Sequence, residues 1–208
     1  MRPPPRSLYA LMMSKQPAAS PEPKPDGRVE RSVQTRAKIT AAVLDLVGRG
    51  VLDPTAEAVA VHAGVGYRTV FRHFEDMEAL FDELNAKITQ IVLAGLPDLP
   101  PEGPLADRIA GFVLRRTQVF EAITNYYLSG NIRLHSSESL RRSRANFAQM
   151  LRRQQAVYLP ESTKTPETAA LVELVATIDA WVRLRQLQGC DVETAQRIVA
   201  RGVTALLA

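Results

Sequence analysis

A single cysteine, Cys190, is the only thiol in the chain, and one thiol cannot close an internal disulfide. His62, His73 and His135 stand far apart, so no His or Cys cluster has the spacing of a zinc site, and no metal or cofactor is expected. A reduced, cytoplasmic setting fits this composition. Long apolar runs are missing too. The apolar stretch at residues 8–13 is shorter than a signal-peptide core and is closed by Ser14 and Lys15. No other uninterrupted run approaches the ~20 residues of a membrane span, so no membrane partner is expected. Enzyme signatures are equally absent: no glycine-rich phosphate loop, no Gly-x-Ser-x-Gly elbow, and no evident nucleophile with its base. The sequence therefore argues against an enzyme. Strand-like alternation is also missing, which points to an all-α fold.

The formal net charge is +4 and the pI near 9.5, a mild indication of a polyanionic partner. Its distribution says more. Residues 1–76 hold 11 basic against 8 acidic side chains, residues 77–160 hold 10 against 8, and residues 161–208 hold 5 against 6. A nucleic-acid contact is therefore sought early in the chain.

Residues 1–27 carry 7 of the 14 prolines and read as a disordered tail, with Met12 and Met13 as alternative starts. Residues 28–75 read as a three-helix head. Ile39, Ala42, Val43, Leu46 and Val47 fall at helical spacing, and Gly48 and Gly50 stop that helix. Thr55 is placed to cap a second short helix that carries Val59 and Ala60 inward. A tight turn at residues 63–66 then leads into a third helix over residues 67–74. Two helices around a glycine-containing turn make a helix-turn-helix unit.

Residues 76–208 read as a helical body. Met77, Leu80, Phe81, Leu84, Ile88 and Ile91 share one side of a helix from about Asp76 to Val92, and four prolines break the chain between Leu96 and Pro104. Leu105, Ile109, Phe112, Val113, Phe120 and Ile123 mark another helix, with a bend expected shortly after Gly130. Residues 137–158 form a helix whose Arg141, Arg142, Arg152 and Arg153 oppose an apolar side. That arginine face could be a membrane or nucleic-acid stripe, but a solvated bundle face is the plainer reading. Residues 166–187 and 191–207 then read as two helices of a closing hairpin.

The helix-turn-helix works by laying its second helix in the major groove while the first fixes its angle. Gly64 supplies the turn, and Ala60, Val65, Val70 and Phe74 supply an inner face. Tyr67, Arg68, Thr69 and Arg72 face outward, where Arg can pair bidentately with guanine. Arg68 and Thr69 are the base-reading candidates, with Arg36, Thr55, Gly66, Phe71 and His73 as further candidate DNA contacts. His73 has an equal alternative, closing the head against the next helix, and His62 and His135 read as structural or exposed.

Ala63, Gly64 and Val65 of the turn, the aromatic-x-His-Phe ending at Phe71 to Phe74, and Glu78, Ala79 and Leu80 together resemble the DNA-binding head of the tetracycline-repressor (TetR) family, over Arg36 to Phe81. The resemblance implies a sequence-specific transcription regulator, usually a repressor, with a helical body that binds a small molecule and dimerises through its last two long helices. Its DNA partner would be a palindromic operator. Three positions depart from the family's pattern: Gly66 replaces a frequent capping Ser, Phe71 a phosphate-donating Tyr, and Met77 a Lys. These losses put weight on Arg68 and Arg72, and they motivate an alternative in which the chain is a helical interaction protein with a degenerate, non-DNA-binding head.

Phe112, Phe120, Tyr126, Tyr127, Phe147 and Trp181 are candidate ligand-cavity residues, and Asp179 could bind a cationic or hydroxylated ligand, although an exposed Asp179 is the plainer expectation. Leu171, Leu174, Val175, Ile178, Val182, Val199, Val203 and Leu206 form the apolar faces of the closing hairpin. Such faces suit a four-helix bundle between the two chains of a homodimer, the alternative being packing within one chain.

Overall fold

The computed structural model describes residues 27–74, 77–94 and 102–208, and the expected tail lies outside the described residues. These residues form helices and turns with no strand among them. The chain divides into two compact units, residues 1–35 and 36–208. The described part of the first unit is the opening stretch of helix α1 (Gly27–Gly48). The second unit contains both head and body.

In the head, α1 is followed by α2 (Ala56–Ala63) and α3 (Tyr67–Phe74). Ile39, Ala42, Val43 and Val47 of α1 are buried with Val59, Ala60 and Val70. Full burial of one such valine or isoleucine contributes roughly 1.5–3 kcal/mol. An isolated helix of eight residues is marginal in water, so Val70, fully buried, ties α3 to the fold. Helix α1 ends as expected, with Gly50 at φ +93° allowing Gly50 N to donate to Val47 O and Val51 N to Leu46 O. Gly48 acts differently. A Cβ there would stand 2.9 Å from Tyr126 Oη, so this glycine permits close approach of the body.

Helix α4 (Met77–Ala94) joins two cores. Its Leu80 and Leu84 belong to the head core, while Ile88 packs against the body core. The body continues with α5 (Leu105–Arg133), α6 (Glu138–Tyr158), a 3₁₀ turn (Pro160–Thr163), α7 (Pro166–Val175), α8 (Ile178–Val182), a π turn (Arg183–Leu187) and α9 (Val192–Leu207). Phe112, Phe120, Trp181, Val172 and Val203 lie at the centre of the body. No helix among the described residues is long and apolar enough to cross a membrane.

The bend expected shortly after Gly130 falls at residues 134–136, where α5 has ended at Arg133, while Gly130 itself stays helical beside Leu140 and Arg144 of α6. A glycine inside a helix is tolerated where its small size serves a neighbour. One expectation changes: residues 166–187 do not form one helix. Ala176 leaves the helical region, and Thr177 restarts the chain as a cap, its Oγ1 accepting from Ala180 N at 3.0 Å.

A buried arginine stabilises that break. Arg116 of α5, 1 % exposed, donates from Nη1 to Ala176 O at 2.9 Å, and also to Leu151 O and Gln154 Oε1. Its guanidinium lies 4.4 Å from the centre of the Phe112 ring. Burial pushes Arg116 down to about 9, which still leaves it protonated at neutral pH. The carbonyl released at the break thus meets a charged donor.

Candidate nucleic-acid interface

The turn between α2 and α3 has the geometry its sequence implies. Thr55 is extended, and its Oγ1 accepts from Ala58 N at 3.2 Å, so its side chain is engaged in capping α2. Gly64 closes the helix in the left-handed region, at φ 64° and ψ 38°, and Val65 N donates to Ala60 O. This arrangement satisfies carbonyls that a helix end otherwise leaves unpaired. Gly66 supplies only its carbonyl to the start of α3, accepting from Thr69 N at 2.9 Å and Val70 N at 3.2 Å.

Helix α3 separates its two faces sharply. Val70 is fully buried, whereas Tyr67 and Phe71 are 54 % and 55 % exposed. Their rings stack with centroids 6.3 Å apart. Arg68 and Arg72 are exposed beside them, and the four side chains line one continuous shallow surface. Thr69 is half-buried, closer to the turn. His73 lies on the helix, but its side chain, like those of Phe74 and Met77, falls outside the described residues. The surface pairs two cations with two aromatic rings. Guanidinium groups can bond phosphates or guanine edges, Tyr67 can donate a hydrogen bond, and Phe71 can only pack against sugars or a thymine methyl.

Arg36 is committed elsewhere. Its Nε donates to Glu83 Oε2 of α4 at 2.8 Å, and Thr40 Oγ1 donates to the other oxygen of Glu83 at 3.0 Å. Burial raises the Glu83 pKa, but these hydrogen bonds and the nearby cations outweigh it, and the carboxyl is held below its ordinary range. Its neighbour Asp82 reaches the opposite way, accepting from Ser139 Oγ at 2.6 Å and from Arg142 of α6. Adjacent carboxylates on α4 therefore connect that helix to α1 through one and to α6 through the other. Further ties join head and body directly: Asn125 Nδ2 donates to Gly48 O at 2.9 Å, and Arg133 pairs with Asp53 at 2.6 Å. These linkages were not legible in the sequence, where Asp82 and Glu83 look like ordinary solvated carboxylates.

The body candidates divide into separate groups. Phe112, Phe120 and Trp181 are buried in the core, and Phe147 packs against it half-buried. Trp181 Nε1 donates to Glu121 Oε1 at 2.7 Å. Tyr127 and Asp179, distant in sequence, meet: Tyr127 Oη donates to Asp179 Oδ1 at 2.6 Å, with Arg144 over the Tyr127 ring. Burial first, and this hydrogen bond second, push Tyr127 up to about 12. Asp179 is exposed, as expected, but has a partner. Tyr126 packs at the seam with the head, beside Gly48.

Of the hairpin residues, Ile178, Val199 and Val203 are buried within the single chain, and Val175, Val182 and Leu206 are half-buried. Leu171 and Leu174 are 45 % and 65 % exposed. Arg141, Arg142, Arg152 and Arg153 of α6 are exposed; Arg142 and Arg152 pair with Asp82 and Glu173.

Residues 39–84 match the family described as bacterial regulatory proteins, tetR family. No curated protein matches the chain. Among solved structures, a transcriptional regulator from Rhodococcus sp. Rha1 has a similar fold, at a TM-score of 0.60 and 20 % identity, over 83 % of this chain and 95 % of that one.

Proposed function

We propose that the chain regulates transcription as a homodimer on a palindromic DNA site, with a small molecule setting its affinity; the match of residues 39–84 to the tetR family of bacterial regulatory proteins supports this reading. DNA binding is the first element of this reading. The observation that carries it is the outward face of α3, where Arg68 and Arg72 flank exposed Tyr67 and Phe71 on a helix anchored by Val70. In this reading Arg68 and Thr69 reach base edges, while Arg72, Tyr67 and the backbone at Gly66 fix the register on phosphates. Phe71 contributes apolar contact, and His73 a phosphate bond.

Arg36 and Thr55, engaged with Glu83 and Ala58 N, support the head's geometry first. Leu171 and Leu174, left exposed on α7, are the natural centre of a dimer face, with Val175, Val182 and Leu206 at its margin. A two-fold dimer would set two α3 helices on successive turns of the major groove, about 34–36 Å apart. Ligand control would act through α4, whose two carboxylates tie it to head and body; repression is the usual sign. The cytoplasm is the setting this role implies, and catalysis has no part in it.

Selection of genomic fragments by the purified full-length protein tests the reading. A palindromic consensus is expected, and its absence would favour a helical interaction protein with a head that no longer binds DNA. On the selected site, Arg68→Ala should cost about 1–3 kcal/mol and relax preference at one position, as expected of a base contact. Arg72→Ala should weaken binding uniformly and flatten the salt dependence by about one unit of slope. Unchanged affinity in both variants refutes this docking.

A further inference from the structure

The seam between head and body encloses a cleft of about 70 Å³ whose walls come from both sides. Val43, Leu44, Val47 and Pro54 line it from the head, Leu84 and Ile88 from α4, and Tyr126 and Ser129 from α5. None of these residues except Tyr126 was a ligand candidate in the sequence. The lining is dominantly apolar, with Asn85, Ser129 and Arg133 as its polar members. Asn85 of α4 also lines the cleft, and its amide nitrogen is shut off from solvent with no hydrogen-bond partner among the described residues. A buried amide donor without an acceptor is a continuing cost that an acceptor-bearing occupant removes.

We propose that this seam cleft is a binding site for a compact, uncharged, mostly apolar molecule carrying one hydrogen-bond acceptor, which Asn85 receives. The volume corresponds to roughly five to seven water positions at ~10–15 Å³ each, the size of one small ring with a short substituent. The chemistry selects against a cation: the unpaired group is a donor, and Arg133 of α5, which also lines the cleft, is itself cationic. Position gives the site its consequence. An occupant touches α1 of the head and α4 and α5 of the body together, beside the Gly48 and Tyr126 close approach and the Asn125 hydrogen bond to Gly48 O. Its binding energy therefore depends on how the head sits on the body, which is the condition for a ligand to shift that equilibrium.

The inference rests on the proposed ligand-responsive regulator and gives that response a location. Saturation-transfer NMR on the full chain reads it with three probes of matched size: cyclohexanone, toluene and cyclohexylammonium at millimolar concentration. Cyclohexanone and toluene should bind, and the cation should not. Asn85→Leu should weaken cyclohexanone about threefold to tenfold, the worth of one neutral hydrogen bond, and leave toluene no weaker. Ser129→Phe, which fills the cleft from α5, should abolish both.

Cyclohexanone binding that neither variant alters overturns the proposal, as does no binding by the wild type or equal binding of the cation. Circular dichroism checks that Ser129→Phe folds; if it does not, Asn85→Leu decides alone. Selection of a DNA consensus is scored separately. A chain that selects a palindrome and binds no probe refutes the cleft and leaves the regulator standing. A chain with the Asn85-dependent probe response and no DNA consensus does the reverse.

Discussion

Gly64 and Gly66 stand two positions apart in the same turn, yet the structure requires opposite responses when each receives a side chain. Gly64 occupies the left-handed region at φ 64°, and a Cβ built there meets nothing within 4 Å. The cost of Gly64→Ala is therefore conformational and not steric. Holding an L-residue in the left-handed region costs roughly 1–2 kcal/mol, and the stiffer unfolded chain returns about 0.4–1 kcal/mol. The net loss is about 1 kcal/mol. Gly66 has no positive φ, and its nearest neighbour to a new Cβ is Thr69 Oγ1 at 3.8 Å. Gly66→Ser places a hydroxyl where it can accept from the open end of α3, a gain of a few tenths of a kcal/mol, to which the lost flexibility of the unfolded chain adds up to about 1 kcal/mol.

The two variants should thus differ by about 1.5 kcal/mol, or about 3–6 °C in melting temperature for a protein of this size. Thermal and urea unfolding followed by circular dichroism, at one fixed protein concentration, measures the difference. Gly66→Ser should also bind DNA at least as tightly as the wild type, because the hydroxyl sits at the helix end that the proposed docking sets against the DNA backbone. If Gly66→Ser destabilised the chain as much as Gly64→Ala, the assignment of separate roles to the two glycines would be wrong.

Arg116→Met should destabilise the body by about 1–3 kcal/mol, the cost of leaving the Ala176 carbonyl unpaired, and urea unfolding reads this directly; a variant as stable as the wild type would mean that the helix break does not depend on the guanidinium. Acid stability gives an independent check. The hydrogen bond from Arg108 holds Glu161 down to about 2, against an unfolded value near 4.5. The folded pKa lies below the unfolded one, so this pair's contribution is complete above about 4.5 and is lost as pH falls toward 2. Glu161→Gln should lower stability at neutral pH and flatten the acid limb across that window, and an acid limb unchanged by the substitution would remove Arg108 as the cause.

The outward face of α3 was legible because it is encoded locally. A glycine at the turn, Val70 set inward, and Arg68 and Arg72 one helical turn apart are all properties of consecutive residues, and helical periodicity alone decides which side each occupies. The same logic gave the cap at Thr55 and the ends of the major helices. It failed at Ala176 and Thr177, where the apolar spacing continues without a breaker and the helix nevertheless stops. The group that donates to the released carbonyl there is Arg116, sixty positions earlier in the chain.

Periodicity left open the use of the closing hairpin's apolar residues. It identified Ile178, Val199 and Val203 as apolar, but it could not distinguish burial inside one chain from burial against another. The sequence by itself determined an all-helical chain whose head carries a helix-turn-helix with a cationic, aromatic outer face, because each of those features depends on neighbours within a few residues. Only the tertiary structure decided that Asp82 and Glu83 reach to opposite elements, that Gly48 admits Tyr126, and that the Asn85 amide nitrogen faces an apolar seam with no partner among the described residues. Those outcomes depend on which helices pack together, and a helix's own pattern does not name its neighbours.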